Sequence, residues 1–176
     1  QAVRAFVGSH NFPIALNYHS YSNLLIYPLG YDYDNPISQD DLDIFIEFGE
    51  DMVQFNGYEL GSGPELLYPV NGEACDWMYG DQGIFAYTPE IGSYNDGFWP
   101  ETSRIVPLAE ENLYPNQFLA LAGGSKYNVN INIDEVSYIN GEVYPLYISI
   151  FNQGLSDSNG DVYVDIHIHI YMYIYI

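Results

Sequence analysis

The chain carries a single cysteine, Cys75, and only three Lys and Arg residues against 24 Asp and Glu. A lone thiol forms no internal disulfide, so no crosslink frames the fold. A formal net charge of −21 leaves no basic surface to displace phosphate counterions. That argues against nucleic acid as a partner and in favour of cations and basic peptides. No run approaches the ~18 consecutive apolar residues of a membrane helix, so no membrane partner is expected. Neither an initiator Met nor a signal-peptide pattern opens the chain, and Gln1 reads as a cut or processed terminus. Disorder is excluded by composition: with 48% hydrophobic and 17% aromatic residues, 176 residues hold a sizeable core.

The patterning changes partway along. Val3, Phe6, Val7 and His10 lie on one face of a short helix. Ile14 to Tyr18 reads as a buried strand ending at His19-Ser20, and Asn23 to Tyr27 as a second strand stopped by Pro28 and Gly30. Ser38 with Asp41 resembles a capping pair, and the apolar spacing beyond it predicts a helix over 39–55. From 56 to 80 the Gly, Pro and Asn content reads as a long loop, a kind that is usually functional. Gly83 to Thr88 is a strand running into Pro89-Glu90. A helix starts from Pro107, and Pro115 ends it, kinks it or starts another that stops at Gly123-Gly124. Beyond that point the period is two: Tyr127 to Ile133, Tyr144 to Phe151 and Val162 to Ile176 read as strands. The expected class is α/β over 1–124, a mixed sheet with flanking helices, succeeded by an all-β, sandwich-like segment over 125–176.

Several residues can carry chemistry, and each has a plainer structural reading. His19 at a strand end reaches a cleft or is a satisfied histidine near the core. Glu90 is a strand-end carboxylate, solvated or catalytic. Tyr58 and the cluster Asp76-Trp77-Met78-Tyr79-Gly80 anchor a loop or line a site.

Their order gives them a common meaning. His19-Ser20-Tyr21, then Asn56-Gly57-Tyr58, Asp76-Trp77, Glu90 and Gly97-Phe98-Trp99-Pro100 resemble the C-terminal half of zinc metallocarboxypeptidases of the carboxypeptidase A/T family. Asn17 to Pro28 and Tyr87 to Gly92 match that pattern best, and the resemblance covers roughly residues 1–123. The region after it resembles the start of the β-sandwich appended to some secreted bacterial members. The resemblance implies a secreted enzyme that removes C-terminal residues from peptides and proteins. It makes His19 the last zinc ligand and Glu90 the general base and acid. Tyr58 becomes the mobile tyrosine that closes on the substrate's carboxylate, with Ser20 and Tyr21 lining the cleft.

The chain also departs from the family. No H-x-x-E, the source of the family's other two zinc ligands, occurs anywhere in it, and neither Arg4 nor Arg104 has the context of the carboxylate-binding arginine. One His and one Glu make half of an active site. In the family, the loop after the position of Tyr58 helps form the pocket for the terminal side chain. Here that loop carries Glu59 and Glu65, and an acid at the pocket floor favours Lys or Arg.

The tail stands apart. From Val162 to Ile176 apolar and polar residues alternate without a break, and no Pro or Lys protects an edge. His167 and His169 share a face as a weak metal pair. Residues 162–176 suit self-association through intermolecular β-pairing. The competing function is therefore a non-catalytic, β-rich assembly subunit. A peptide-binding pseudoenzyme using the Tyr58 loop is a third reading.

Overall fold

Four short strands form the sheet around which the chain is built. The computed structural model describes residues 1–34, 36–132, 145 and 147–165. In it β1 (Ile14–Leu16), β2 (Leu24–Tyr27), β3 (Glu59–Ser62) and β4 (Phe85–Glu90) lie in the order β1-β4-β2-β3. β1 is parallel to β4, β4 antiparallel to β2, and β2 parallel to β3, which is the mixed sheet the sequence predicts. Six α-helices accompany it among the described residues: α1 (Ala2–Gly8), α2 (Gln39–Val53), α3 (Gly63–Leu66), α4 (Ala74–Gln82), α5 (Ile105–Glu111) and α6 (Leu113–Ala122).

Alternation along the strands sends side chains into two cores. On one face Ile14, Leu25, Tyr27 and Tyr87 meet Phe45, Phe48 and Met52 of α2 and Phe118 and Ala122 of α6. On the other, Ile84 and Ala86 meet Val7 of α1 and Cys75 and Met78 of α4. Each large side chain buried this way contributes about 1.5–3 kcal/mol. Helix α2 begins where its capping pair puts it, with the Asp41 N–H donating to Ser38 Oγ at 3.2 Å and two acids at its positive end. Pro115 occupies the first turn of α6, where its missing N–H has no partner to lose, so it starts a new helix.

The segment read as a long loop is largely structured. Residues 56–80 contain β3, α3 and most of α4. Strand β3 is only four residues, Glu-Leu-Gly-Ser, too short and too glycine-rich to show alternation, and pairing with β2 alone defines it. Helix α4 has almost no amphipathic pattern because Cys75 and Met78 are its only buried residues.

Beyond Gly124, β5 (Tyr127–Asn132) and β6 (Tyr147–Asn152) form one antiparallel pair. A sandwich is not shown. The turn after β6 is fastened back onto α2, where Gln153 Nε2 donates to Glu47 Oε1 at 2.7 Å and to Asp51 Oδ2 at 3.0 Å. Val162 to Asp165, the described start of the alternating tail, forms no strand. The rest of that alternation, including His167 and His169, lies outside the described residues.

Candidate active site

Strand pairing brings the two predicted chemical residues together. Past Leu16 the chain keeps its parallel partner: Asn17 N donates to Tyr87 O at 2.8 Å, His19 N to Pro89 O at 2.9 Å, and Ile91 N to His19 O at 3.0 Å. His19 thus lies directly across from Glu90. Its Nδ1 is 3.9 Å from Glu90 Oε1, and their side chains are 52% and 14% exposed. Asn17 Nδ2 donates to His19 Nε2 at 3.0 Å, which leaves the ring proton on Nδ1, facing the carboxylate.

A cavity of about 250 Å³ opens beside this pair, lined by His19, Glu90, Thr88, Glu73, Ile26 and Tyr68 among others. Its inner wall is a hydrogen-bonded chain. Thr88 Oγ1 donates to Glu73 Oε1 at 2.9 Å, so the Cys75 thiol, 2.9 Å from the same hydroxyl, is the donor to it. Burial pushes that thiol up to about 12, and it remains protonated and inert. Asp76, which the sequence reads as an anchor, is one: both its oxygens accept from Gly30 N, at 2.9 and 3.1 Å.

The electrostatics come from crowding acids into a half-buried space. Burial raises the Glu90 carboxyl, His19 opposes that, and Glu73 adds to it. Burial also raises Glu73, the Thr88 hydrogen bond pulls it back, and Asp76 pushes it up again. Between an unfolded value of about 4.3 and its raised folded value, Glu73 binds more proton in the native chain than in the unfolded one. The stability this group contributes is therefore complete at low pH and declines as pH rises through that window. Glu73→Gln is expected to raise the Tm by a few degrees at neutral pH and to leave it unchanged below about pH 3.5. Thermal melts at the two pH values check this, and an equal gain at both would trace to packing instead.

The remaining predicted residues scatter. Tyr58 is 4% exposed, its hydroxyl accepting from Asn112 Nδ2 at 3.1 Å, and it does not line the cavity. It sits just before β3, whose pairing with β2 draws it into the interior. Tyr68, 64% exposed, lines the cavity instead. Ser20 and Tyr21 adjoin His19 but are not in the lining; Tyr21 meets Phe98 edge-on, ring centroids 4.9 Å apart. Glu59 is exposed on β3. Glu65 completes a capping box, accepting from Ser62 N at 3.0 Å and Ser62 Oγ at 2.8 Å, so it is not a pocket floor. Besides Glu90, the acid that lines the cavity is Glu73, eight residues further on.

Among the described residues no group of three His, Cys, Asp or Glu side chains comes together to hold a metal ion. His19 is one imidazole donor, and the residues present do not by themselves fit the zinc that the resemblance implies.

Residues 1–115 match the model of the zinc carboxypeptidase family. Among curated relatives, carboxypeptidase B of Astacus astacus is 36% identical over 106 residues, 57% of this chain and 35% of that protein. Carboxypeptidase A4 of Mus musculus is 35% identical over 119 residues, 63% of this chain and 28% of that one. The chain thus spans about a third of the length of these relatives. Among solved structures, bovine thrombin-activatable fibrinolysis inhibitor in complex with tick carboxypeptidase inhibitor superposes with a TM-score of 0.60 at 28% identity, covering 68% of this chain and 43% of that one. Carboxypeptidase A from Helicoverpa armigera, at a TM-score of 0.56 and 21% identity over 69% of this chain and 32% of its own, shares the fold. With its mixed sheet, its His19–Glu90 pair and a family match over most of its length, the chain belongs to the zinc carboxypeptidases.

Proposed function

We propose that these residues supply the C-terminal wall of a carboxypeptidase active site, which hydrolyses the last peptide bond of peptides and proteins. The observation that carries this reading is the His19–Glu90 pair at the mouth of a cavity large enough for a side chain. Glu90 takes and returns the proton during hydrolysis, a task suited to a half-buried carboxyl whose proton affinity is raised. Exposed Tyr68, rather than buried Tyr58, is the tyrosine that closes on the substrate. Zinc, which the family implies, needs donors beyond His19 that no group of described residues provides. On the family resemblance the protein acts outside the cell. No helix among the described residues is long and apolar enough to cross a membrane.

The 176-residue chain alone, with zinc added, is expected to release no C-terminal residue from peptides. The same residues joined to a segment bearing H-x-x-E are expected to do so. Zinc-dependent release by the chain alone, abolished by Glu90→Gln, would overturn the division of the site. The tyrosine assignment has its own check in the joined polypeptide: Tyr68→Phe should raise KM and leave the Tm unchanged. Tyr58→Phe should do the reverse, costing about 1 kcal/mol through the bond from Asn112.

A further inference from the structure

One stretch of the cavity wall carries chemistry that the hydrolysis does not use. Asn71 and Gly72 line the cavity together with His19, Tyr68, Glu73 and Glu90, and both are exposed. The chain is fastened on either side of them. Val70 N donates to Gly30 O at 2.8 Å, and Glu73 Oε1 accepts from Thr88 Oγ1 at 2.9 Å. Between these anchors no hydrogen bond among the described residues engages the Asn71 amide or the Gly72 N–H. Gly72 has φ +84°, and no atom lies within 4 Å of where a Cβ would stand, so its nitrogen is unhindered.

An Asn-Gly pair with both groups free reacts with itself. The Gly nitrogen attacks Cγ of the Asn side chain and a C–N bond forms. The side-chain nitrogen leaves as ammonia, carrying the proton that the Gly N–H gives up. Water then opens the resulting cyclic imide at either of its carbonyls. One opening leaves aspartate; the other leaves isoaspartate, in which the main chain runs through the former side chain. Nothing is oxidised or reduced, and solvent water is the co-reactant.

The sequence holds three other Asn-Gly pairs, and hydrogen bonds set the described ones apart from Asn71-Gly72. Asn56 Oδ1 accepts from Tyr58 N at 3.1 Å and Gly57 N donates to Val53 O at 3.0 Å, so side chain and nucleophile are both held. Gly160 N, after Asn159, donates to Ser158 Oγ at 3.1 Å. Asn140-Gly141 lies outside the described residues.

We propose that Asn71-Gly72 is a self-modification site, converting to aspartate and isoaspartate and so placing a new carboxylate in the cavity wall. The conversion stands on the geometry of this turn. Its consequence rests on the proposed carboxypeptidase reading: a substrate that ends in a carboxylate meets an added repulsion at the cavity.

Ageing the full 176-residue chain in buffer tests the conversion without hydrolysis of any substrate. Peptide mapping by mass spectrometry follows each Asn-Gly pair with time, and enzymatic methylation identifies isoaspartate. Asn71 is expected to convert about tenfold or more faster than Asn56, whose reaction must first break two hydrogen bonds. In urea, where the fold holds neither, the two rates should converge. Native conversion of Asn56 as fast as that of Asn71, or an Asn71 that stays intact while the unfolded chain converts, overturns the proposal. In the joined polypeptide, Asn71→Asp is expected to raise KM for a peptide about two- to fivefold, the scale of exposed charges, with kcat nearly unchanged. An unaltered KM would overturn the consequence. The two readings fail separately. Conversion of Asn71 without any hydrolysis removes the peptidase and leaves the modification site standing, and hydrolysis by a polypeptide whose Asn71 stays intact does the opposite.

Discussion

In a polypeptide that carries these residues together with the H-x-x-E segment, Glu90→Gln is expected to lower kcat for release of a C-terminal residue by about 10²–10⁴-fold, the usual worth of a positioned acid–base group. The amide has the shape of the acid and none of its capacity to carry a proton. Glu90 ends β4, its backbone is locked by the pairing on both sides of His19, and its side chain is 14% exposed. The substitution should therefore leave the fold and KM nearly as they were and, by the same linkage as at Glu73, not lower the Tm at neutral pH, so the loss falls on kcat. Steady-state kinetics with a peptide substrate checks it. A drop of less than about tenfold, or one shared equally with a rise in KM, would mean that Glu90 positions substrate and the proton travels elsewhere.

The largest loss of stability is expected from Phe45→Ala, about 3–5 kcal/mol. Phe45 is fully buried and is the point where α2 meets the sheet. Its ring lies 5.0 Å from that of Phe85, 5.3 Å from those of Tyr79 and Tyr87, and 6.0 Å from that of Tyr27. Those neighbours belong to β2, β4 and α4, each tethered on another side, so they cannot collapse into the hole. For a chain of this size the loss corresponds to a fall in Tm of about 6–20 °C. Urea or thermal unfolding measures it, and a cost under about 1 kcal/mol would show that the surrounding rings close the gap. Tyr87→Phe, which removes only the hydroxyl that donates to Phe45 O at 2.9 Å, should cost about 1 kcal/mol and separates the hydrogen bond from the packing.

Much of this arrangement can be read from the residues. Ser38, Asp41 and the apolar spacing through Met52 specify α2 by local chemistry, because capping and helical period both act within a few residues. His19 and Glu90 are legible as strand ends, and they must meet once β1 and β4 are neighbours. What is not legible depends on contacts distant in sequence. Strand β3 exists because β2 pairs with it, and its four residues carry no period of their own. Tyr58 and Tyr68 look alike in the sequence, and only that pairing separates the tyrosine drawn inside from the one left at the cavity. Glu65 suits a pocket acid by loop position, yet its spacing from Ser62 is that of a capping box, a signal present in the residues themselves. Glu73 carries no such mark, since its burial comes from Gly30 and Thr88, which are distant in sequence.

The fastening of Gln153 onto α2 bears on how this molecule can be handled. Glu47 and Asp51 belong to the helix on one side of the sheet, whereas Glu73 and Thr88 line a cavity beside α4, which covers the other side. The turn after β6 therefore leaves the core at the back of the site. A linker, dye or solid support attached just beyond that turn, at Ser158 or Gly160, would orient the cavity toward solvent and leave the approach of a peptide end unobstructed.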